Sequence, residues 1–171
     1  LDVCHVDGKN RYEQTVDAIS SNREVIFQAR LKGGQFAGHA DFLKKDAGKN
    51  QYAVWDTKLS RHTKPYFMIQ LCCYADMLEQ MTGSRPETIG VILGDGAEHS
   101  FRTNEFFAYY KRIKASFLQL MEQFPNGDAP VPNPTANHGR WASYAQAWLE
   151  ERDHLCQVAN ISKGQIAKLN G

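Results

Sequence analysis

Residues 25–59 read VIFQARLKGGQFAGHADFLKKDAGKNQYAVWDTKL, and they decide the fold class. Three stretches of this segment are rich in β-branched and aromatic residues, and they cover 25–31, 35–44 and 51–59. Gly33-Gly34 is a turn signal between the first two stretches, and turn-forming residues at 46–50 precede the third. The pattern predicts a three-stranded antiparallel meander, with side chains alternating between the two faces along the middle strand.

Helical patterns surround the predicted meander. Tyr12, Val16 and Ile19 recur at helical spacing before it. After it, Pro65 and Gly83 bracket a helical pattern at 66–81. The remaining predicted elements are short strands at 89–93 and 99–102, helices at 104–124 and 141–158, and a short helix capped by Ser162. This order predicts an α/β fold with a mixed central sheet flanked by helices.

The chain is expected to form one core and an extension. The core spans residues 1–124, and the following segment from Pro125 to Pro134 carries four prolines. Residues 125–171 are therefore interpreted as a proline-rich linker and a C-terminal helical extension. Leu1 opens the chain without Met, and the chain ends within a helical pattern. We expect a piece of a longer protein, with a truncated extension.

The composition excludes several classes of protein. The chain has 171 residues, of which 42% are hydrophobic and 11% aromatic, so it is not a disordered tail. Its 20 basic and 19 acidic residues argue against a protein that coats nucleic acid by bulk charge. No apolar run approaches the roughly 18–20 residues of a membrane-spanning helix, so no membrane partner is expected. Four cysteines without a CxxC pair indicate reduced thiols and a cytoplasmic location, with little support for structural zinc.

Two acidic residues and a lysine are predicted to converge on the meander. A symmetric hairpin centred between Gly48 and Lys49 places Asp41 directly opposite Asp56, with Cβ atoms about 4.5–5.5 Å apart. Lys58 follows Asp56 by two residues and therefore points to the same face. The alternative interpretation is a solvated sheet face with a salt bridge. Full solvation of Asp56 and Lys58 is not expected, because their neighbours in the sequence are apolar. These neighbours are Val54, Trp55 and Leu59.

This grouping suits phosphodiester hydrolysis. Carboxylate oxygens are hard ligands that bind Mg²⁺ or Mn²⁺, and such an ion lowers the pKa of a bound water. Lys58 can orient that water or offset the negative charge that grows in the transition state. The backbone carbonyl of Thr57 is a candidate for a further metal ligand.

The order of these motifs resembles a known family. GxxD on one strand, V-x-D-x-K on the next and Q-x-x-x-Y on the following helix are similar to the RecB-like branch of the PD-(D/E)xK nuclease superfamily. The matching residues are Gly38, Asp41, Val54, Asp56, Lys58, Gln70, Leu71 and Tyr74. The resemblance covers roughly residues 24–122, and it implies a restriction-endonuclease-like αβββαβ core.

The resemblance assigns roles to these residues. It implies that Asp41 and Asp56 are metal ligands and that Lys58 is the catalytic lysine. Gln70 and Tyr74 would steady the site or contact nucleic acid. Tyr66 shares their helical face at a spacing of four residues. In the alternative interpretation the tyrosines are core residues and Gln70 is their hydrogen-bonded neighbour. Gln28 on the first strand is a further polar candidate.

The chain departs from the family pattern at two places. Many RecB-like nucleases use an upstream histidine as a metal ligand, and here His5 stands alone without a supporting pattern. Some relatives bind a 4Fe–4S cluster through a C-terminal C-x-x-C-x5-C run, and the corresponding positions carry Ala136, Gly139 and Ala145. Since that cluster needs four thiolates, no iron–sulfur cluster is expected.

Basic residues beside the predicted site suggest nucleic-acid contacts. Arg61 and Lys64 follow the lysine motif, and a second group spans Lys111 to Lys114. A solvated helix face is the alternative for the second group. The C-terminal residues from Trp141 to Ser162 resemble the tail of RecB-like nucleases that accompany helicase or helix-hairpin-helix segments.

The expected function is therefore a metal-dependent deoxyribonuclease acting on single-stranded DNA or DNA ends. It would belong to a larger helicase-associated or repair protein, with DNA and a helicase or another domain of the same polypeptide as partners. The alternative is a catalytically degenerate nucleic-acid-binding module on the same fold. A hydrolase of a small phosphoester is a third possibility.

Overall fold

The computed structural model describes residues 2–46, 48–49, 51–124, 131–133 and 136–169. The chain forms two compact units, Leu1–Gln119 and Leu120–Gly171, and each is described by itself. Most of the predicted proline-rich linker, at 125–130 and 134, lies outside the described residues. No helix of the described ranges combines the length and the apolar character that crossing a bilayer requires.

The first unit is built on one six-stranded mixed sheet. Its strands are β1 (Val3–His5), β2 (Val25–Gly33), β3 (Phe36–Lys45), β4 (Tyr52–Thr57), β5 (Thr88–Ile92) and β6 (Glu98–Arg102). They lie in sequence order, with β1–β2 and β4–β5 parallel and the other pairs antiparallel. The α/β class, the mixed sheet and the meander β2–β3–β4 are confirmed. The short strand β1 was not predicted, because three residues are too few to show an alternating pattern.

Three helices complete this unit: α1 (Arg11–Ser20), α2 (Pro65–Thr82) and α3 (Thr103–Gln123), whose last turn belongs to the second unit. The first two connect the parallel strand pairs, as parallel connections require. Pro65 occupies the first turn of α2, where its missing N–H costs nothing. Gly83 ends the helix in the left-handed region at φ 77°, and its N–H donates to the Glu79 carbonyl at 2.8 Å.

The core lies between the sheet and α2. Fully buried strand residues are Ile26, Leu31, Leu43, Val54, Ile89 and Val91. They share one core cluster with residues of α2 that include Leu71, Met77 and Leu78. Complete burial of each such side chain contributes about 1.5–3 kcal/mol before entropy is counted. This core fixes the positions of β4 and α2 relative to each other, and these two elements carry most of the predicted motif residues.

Helix α3 covers the core with only part of its predicted apolar stripe. Phe107 and Tyr110 are buried, whereas Ile113 and Phe117 are 37% and 47% exposed. Phe117 nevertheless meets the ring of Phe36 at a centroid distance of 6.0 Å. The stripe predicted from periodicity is therefore longer than the buried face.

A buried carboxylate joins α2 to α3. Asp76 is 4% exposed, and it accepts hydrogen bonds from the Tyr110 hydroxyl at 2.8 Å and from the Lys114 ammonium. Desolvation acts to raise the pKa of Asp76, but these two hydrogen bonds and the charges of Lys114 and Lys111 outweigh it, so the pKa is lowered. Lys114, which was predicted as a candidate for nucleic-acid contact, thus has a structural partner.

Replacing Asp76 by asparagine should lower the stability at pH 7 by about 1–3 kcal/mol, because the partly buried Lys114 ammonium and the buried Tyr110 hydroxyl lose their ionic partner. The folded-state pKa is depressed, so the ionised carboxylate stabilises the fold above its ordinary value of 3.8. The difference from wild type should shrink as the pH falls through and below that value. Urea unfolding over a pH series measures it, with the exposed Asp17→Asn as control. An unchanged difference at low pH would contradict this account.

The second unit contains α4 (Ala142–Glu151) and α5 (Lys163–Leu169). The prediction of one helix over 141–158 was wrong. The chain leaves the helix at Arg152, Asp153 adopts φ 44° and Leu155–Gln157 forms one 3-10 turn. The cap at Ser162 is confirmed: its hydroxyl lies 3.3 Å from the Gln165 N–H, and its own N–H donates to Gln165 Oε1 at 2.8 Å. This reciprocal pair is a capping box.

The four cysteines form no disulfide, and all four lie in described residues. Cys72 is fully buried in α2, and burial together with the neighbouring Cys73 raises the pKa of its thiol to about 11. Cys72 is therefore a core residue rather than a nucleophile.

Candidate active site

The predicted pair of carboxylates is brought together by the β3–β4 register. Phe42 lies opposite Trp55 and Leu43 opposite Val54, so one further step places Asp41 beside Asp56. This is the register that a hairpin centred between Gly48 and Lys49 requires. The two carboxyl groups are close enough that each affects the pKa of the other.

Asp41 is held as an anion by donors from two strands. Its Oδ2 accepts from the Thr57 N–H at 2.7 Å and from the Thr57 hydroxyl at 2.5 Å, and its Oδ1 accepts from Gln28 Nε2 at 3.1 Å. Desolvation acts to raise the pKa of Asp41, but these bonds and the influence of Asp56 outweigh it, so the pKa is lowered. Thr57 thus enters the site through its N–H and hydroxyl, in addition to the carbonyl that the sequence singled out.

Asp56 behaves in the opposite way. It is 4% exposed, and desolvation is the largest influence on its carboxyl group. Lys58 counteracts the desolvation, but the charge of Asp41 adds to it, so the pKa of Asp56 is raised. The pair therefore holds an ionised Asp41 beside an Asp56 that resists ionisation. Adjacent carboxylates with divergent pKa values are typical of metal sites and catalytic sites.

Lys58 links the carboxylates to helix α2. It lies one residue beyond β4, where its N–H donates to the Ile92 carbonyl at 2.8 Å. Its ammonium group donates to Asp56 and to Gln70 Oε1, the latter at 2.8 Å. Gln70 Nε2 in turn donates to the Tyr74 hydroxyl at 2.9 Å. The structure therefore joins Asp56, Lys58, Gln70 and Tyr74 in one hydrogen-bonded series, with Asp41 opposite Asp56 in the strand register.

Gly38 explains how Tyr74 reaches this series. A Cβ atom on Gly38 would lie 2.6 Å from Cε1 of Tyr74 and 3.6 Å from Cε of Met77. Only glycine leaves room for the tyrosine ring against β3. Burial raises the pKa of Tyr74, and its hydroxyl remains neutral beside Gln70. The glycine of the GxxD pattern thus supports the residue that holds Gln70.

Replacing Gly38 by alanine should therefore destabilise the protein by about 1–3 kcal/mol, because the rigid Tyr74 ring must move. The same movement should weaken the Gln70–Lys58 contact and reduce any activity of the site. Urea unfolding measures the first effect. Gly164→Ala is the control, since a Cβ there meets nothing within 4 Å. A Gly38→Ala variant as stable as the control would contradict the packing argument.

Gln28 contributes a backbone irregularity as well as a side chain. Its φ is 58°, in the left-handed region that residues with a Cβ rarely adopt. The buried positions change parity here: Ile26 and Ala29 are both buried on β2, and Ala40 and Leu43 are both buried on β3. The strict alternation predicted for the middle strand is therefore wrong at Asp41. Such local strain is common at functional sites.

The residues predicted to contact nucleic acid lie outside this hydrogen-bonded series. Arg61 and Lys64 are exposed in the segment before α2, and Tyr66 is 60% exposed at its start. Lys64 Nζ stands 5.9 Å from the Tyr66 ring centroid, and Tyr66 packs edge-on against Phe67. Leu59, which was expected to reduce solvation of the site, is 99% exposed. These side chains remain accessible to a ligand, and their role stays a prediction.

The donor set fits one divalent cation of the Mg²⁺ class. The described part of the chain holds no group of three or more histidine, cysteine or acidic side chains arranged around a metal. Mg²⁺ needs no such cage, because it is usually bound by one or two carboxylates together with water and substrate phosphate. In this chain the two carboxylates would be those of Asp41 and Asp56. His5 lies on β1 with its ring 5.0 Å from that of Phe27.

Comparison with known proteins adds no assignment. No protein-family model matches the chain, and no curated protein matches it significantly. The similarity to RecB-like nucleases therefore stands on the motif residues themselves, which are Gly38, Asp41, Asp56, Lys58, Gln70 and Tyr74.

Proposed function

We propose that this protein is a metal-dependent nuclease that hydrolyses DNA phosphodiester bonds. The observation that carries the proposal is the hydrogen-bonded series from Asp56 through Lys58 and Gln70 to Tyr74, together with the position of Asp41 opposite Asp56. The alternative, a salt bridge on a solvated sheet face, does not account for the burial of Asp56 or for its raised pKa. It also does not account for the hydrogen bonds that continue from Lys58 to Gln70 and Tyr74 of α2.

Each residue has a distinct task in this proposal. Asp41 and Asp56 hold Mg²⁺ or Mn²⁺, which when bound neutralises phosphate charge and supplies an acidic water. Lys58 directs its ammonium donors at a phosphate oxygen or at the attacking water. Gln70 accepts one of those donors and so limits the positions that Lys58 can occupy. Tyr74 holds the amide of Gln70 from the other side.

The resemblance to RecB-like nucleases supports the finer points of the proposal. It suggests single-stranded DNA or DNA ends as the substrate and a restriction-endonuclease-like core. It further suggests that the domain works beside a helicase or another segment of a larger repair protein. Arg61, Lys64 and Tyr66 are the proposed contacts to the strand that enters the site. No iron–sulfur cluster is part of this proposal.

The proposal is tested with end-labelled single-stranded and double-stranded DNA, and with RNA of the same sequence. We expect shortened products with Mg²⁺ or Mn²⁺ and none with a chelator, and we expect single-stranded DNA to be cut fastest. Faster cutting of RNA would change the substrate class. Binding of DNA without any product would favour the degenerate module. Hydrolysis of a small phosphodiester but no oligonucleotide would favour the third interpretation.

A further inference from the structure

A cluster of arginine and histidine side chains lies on the face of the sheet that points away from α2. Arg30 of β2 and His39 of β3 are cross-strand partners. Their strand neighbours Leu31 and Gly38 point toward α2, because Leu31 is fully buried in the core and a Cβ atom on Gly38 would lie 2.6 Å from Tyr74 Cε1. Consecutive side chains of a strand point to opposite faces, so Arg30 and His39 are on the other side of the sheet.

The carboxylate site is on the α2 side of the sheet. Asp56 is buried there, and Lys58 connects it to Gln70 of α2. The arginine and histidine cluster and the carboxylate site are therefore separated by the sheet itself. A small ligand bound at one of them does not contact the other.

Two guanidinium groups converge on the His39 ring. NH1 of Arg30 lies 2.6 Å from Nε2, and NH1 of Arg11, at the start of α1, lies 3.5 Å from Nδ1. A guanidinium only donates hydrogen bonds, whereas an imidazole has one acceptor nitrogen when neutral and none when protonated. At least one of the two contacts therefore places a donor against a donor in either protonation state. An acceptor from outside the chain would relieve this mismatch.

The cluster lines a cleft of about 470 Å³ whose walls are cationic. Lys32 lies over the ring of Tyr12, with Nζ 4.7 Å from the ring centroid. Within the described ranges, the four cationic side chains of the cleft form no ion pair, and Glu13 is the single acidic residue of its lining. The cleft thus carries positive charge without a paired counter-charge. Its charged and titratable residues are Lys9, Arg11, Tyr12, Glu13, Arg30, Lys32 and His39.

A phosphate group matches this arrangement. Its oxygens are tetrahedral, so it can accept from guanidinium groups that approach from two different elements, and arginine donors fit phosphate oxygens in pairs. A planar carboxylate presents its two oxygens in one plane and serves such donors less well. The volume of the cleft also leaves room for the rest of a molecule that carries the phosphate.

We propose that the cleft beside Arg11, Arg30 and His39 is a second ligand site, which binds a phosphate group and is separate from the carboxylate site. Arg11 and Arg30 donate to the phosphate oxygens, and His39 positions their guanidinium groups. Two sources carry this chemistry, a small phosphate compound and a nucleic-acid strand. The site does not depend on the proposed nuclease activity.

Binding measured in EDTA tests the proposal, because two carboxylates without a metal ion do not attract phosphate. The probes are inorganic phosphate and thymidine monophosphate, followed by calorimetry, and a fluorescent single-stranded oligodeoxythymidylate, followed by anisotropy. The double variant Arg11→Gln, Arg30→Gln should bind the tightest of these probes about 10–100-fold more weakly, since charge-assisted hydrogen bonds are lost. Arg11→Lys, Arg30→Lys should bind with intermediate affinity, because the charge remains but the paired donors do not.

Two variants serve as matched controls, and both should bind the probe as wild type does. Arg23→Gln removes an arginine from an exposed ion pair with Asp2. Asp56→Asn alters the carboxylate site on the other face of the sheet. Urea unfolding checks that the double glutamine variant is folded.

The pattern of binding identifies the source of the phosphate. Arginine-dependent binding of inorganic phosphate and thymidine monophosphate would indicate a small compound, and arginine-dependent binding of the oligonucleotide alone would indicate a strand. No binding of any probe by wild type, or equal binding by the folded glutamine variant, would overturn the proposal. So would an equal loss of binding in Asp56→Asn. Arginine-dependent binding without metal-dependent cleavage would refute the nuclease but not this site, and cleavage with arginine-independent binding would do the reverse.

Discussion

Lys58→Ala should lower metal-dependent cleavage by about 10²–10³-fold, the usual cost of removing one preorganised donor to the charge of the transition state. Lys58 is the residue that joins the carboxylate pair to α2, through Asp56 on one side and Gln70 on the other. Its side chain is 19% exposed, so removing it leaves a small gap near the surface rather than a void in the core. The fold should therefore persist.

Lys58→Ala should lose cleavage activity but still bind the metal ion. The alanine variant keeps Asp41 and Asp56, so calorimetry should still register the binding of Mn²⁺. The exposed Lys163→Ala in α5 is the control for a change of charge, and it should cut at the wild-type rate. Wild-type cleavage by Lys58→Ala would remove this lysine from the mechanism. Loss of both cleavage and Mn²⁺ binding would show that Lys58 organises the carboxylates instead.

Asp56→Asn should abolish cleavage and at the same time stabilise the protein by about 0.5–2 kcal/mol, the range found where function is kept at the expense of stability. Burial and Asp41 raise the pKa of Asp56, so its ionised form is unfavourable in the folded state. An asparagine cannot ionise, and it removes the repulsion from Asp41. Lys58 keeps its hydrogen bond to Gln70 in the variant.

The direction of the pKa shift determines the pH range in which Asp56→Asn is more stable than wild type. Because the folded-state pKa is raised, the contribution of Asp56 to stability is complete below its ordinary value of 3.8 and is lost as the pH rises through the folded-state pKa. The advantage of Asp56→Asn should thus be absent at low pH and appear as the pH rises. Urea unfolding measures it, with the exposed Asp17→Asn as control. A variant that is less stable than wild type at pH 7, or one that still cuts, would contradict the account.

Local patterns were sufficient to predict the central hairpin and its register. Turn-forming residues around Gly48 centre the hairpin, and counting an equal number of residues to either side of that centre places Asp41 opposite Asp56. The contact between Gln70 and Tyr74 follows from their spacing of four on one helix. These features depend on residues close together in the sequence, and that is the information that periodicity contains.

The features that were missed depend on contacts between distant segments. The left-handed backbone of Gln28 cannot be read from a strand-like sequence, because glutamine there has no intrinsic preference for positive φ. Arg11 in α1 contacts His39 in β3, although the two residues are 28 positions apart in the sequence. The loop between β2 and β3 is Gly34-Gln35, one residue later than the predicted turn at Gly33-Gly34, and this register places Arg30 opposite His39.

A side-by-side titration of Mn²⁺ and Mg²⁺ against cleavage of labelled single-stranded and double-stranded DNA, with wild type and Lys58→Ala, tests the central claim most directly. The account predicts that wild-type cutting rises with the concentration of the ion and saturates, and that Lys58→Ala cuts little at any concentration. Equal cutting by both proteins, or wild-type cutting that persists in a chelator, would contradict the assignment of a metal-dependent site to Asp41, Asp56 and Lys58.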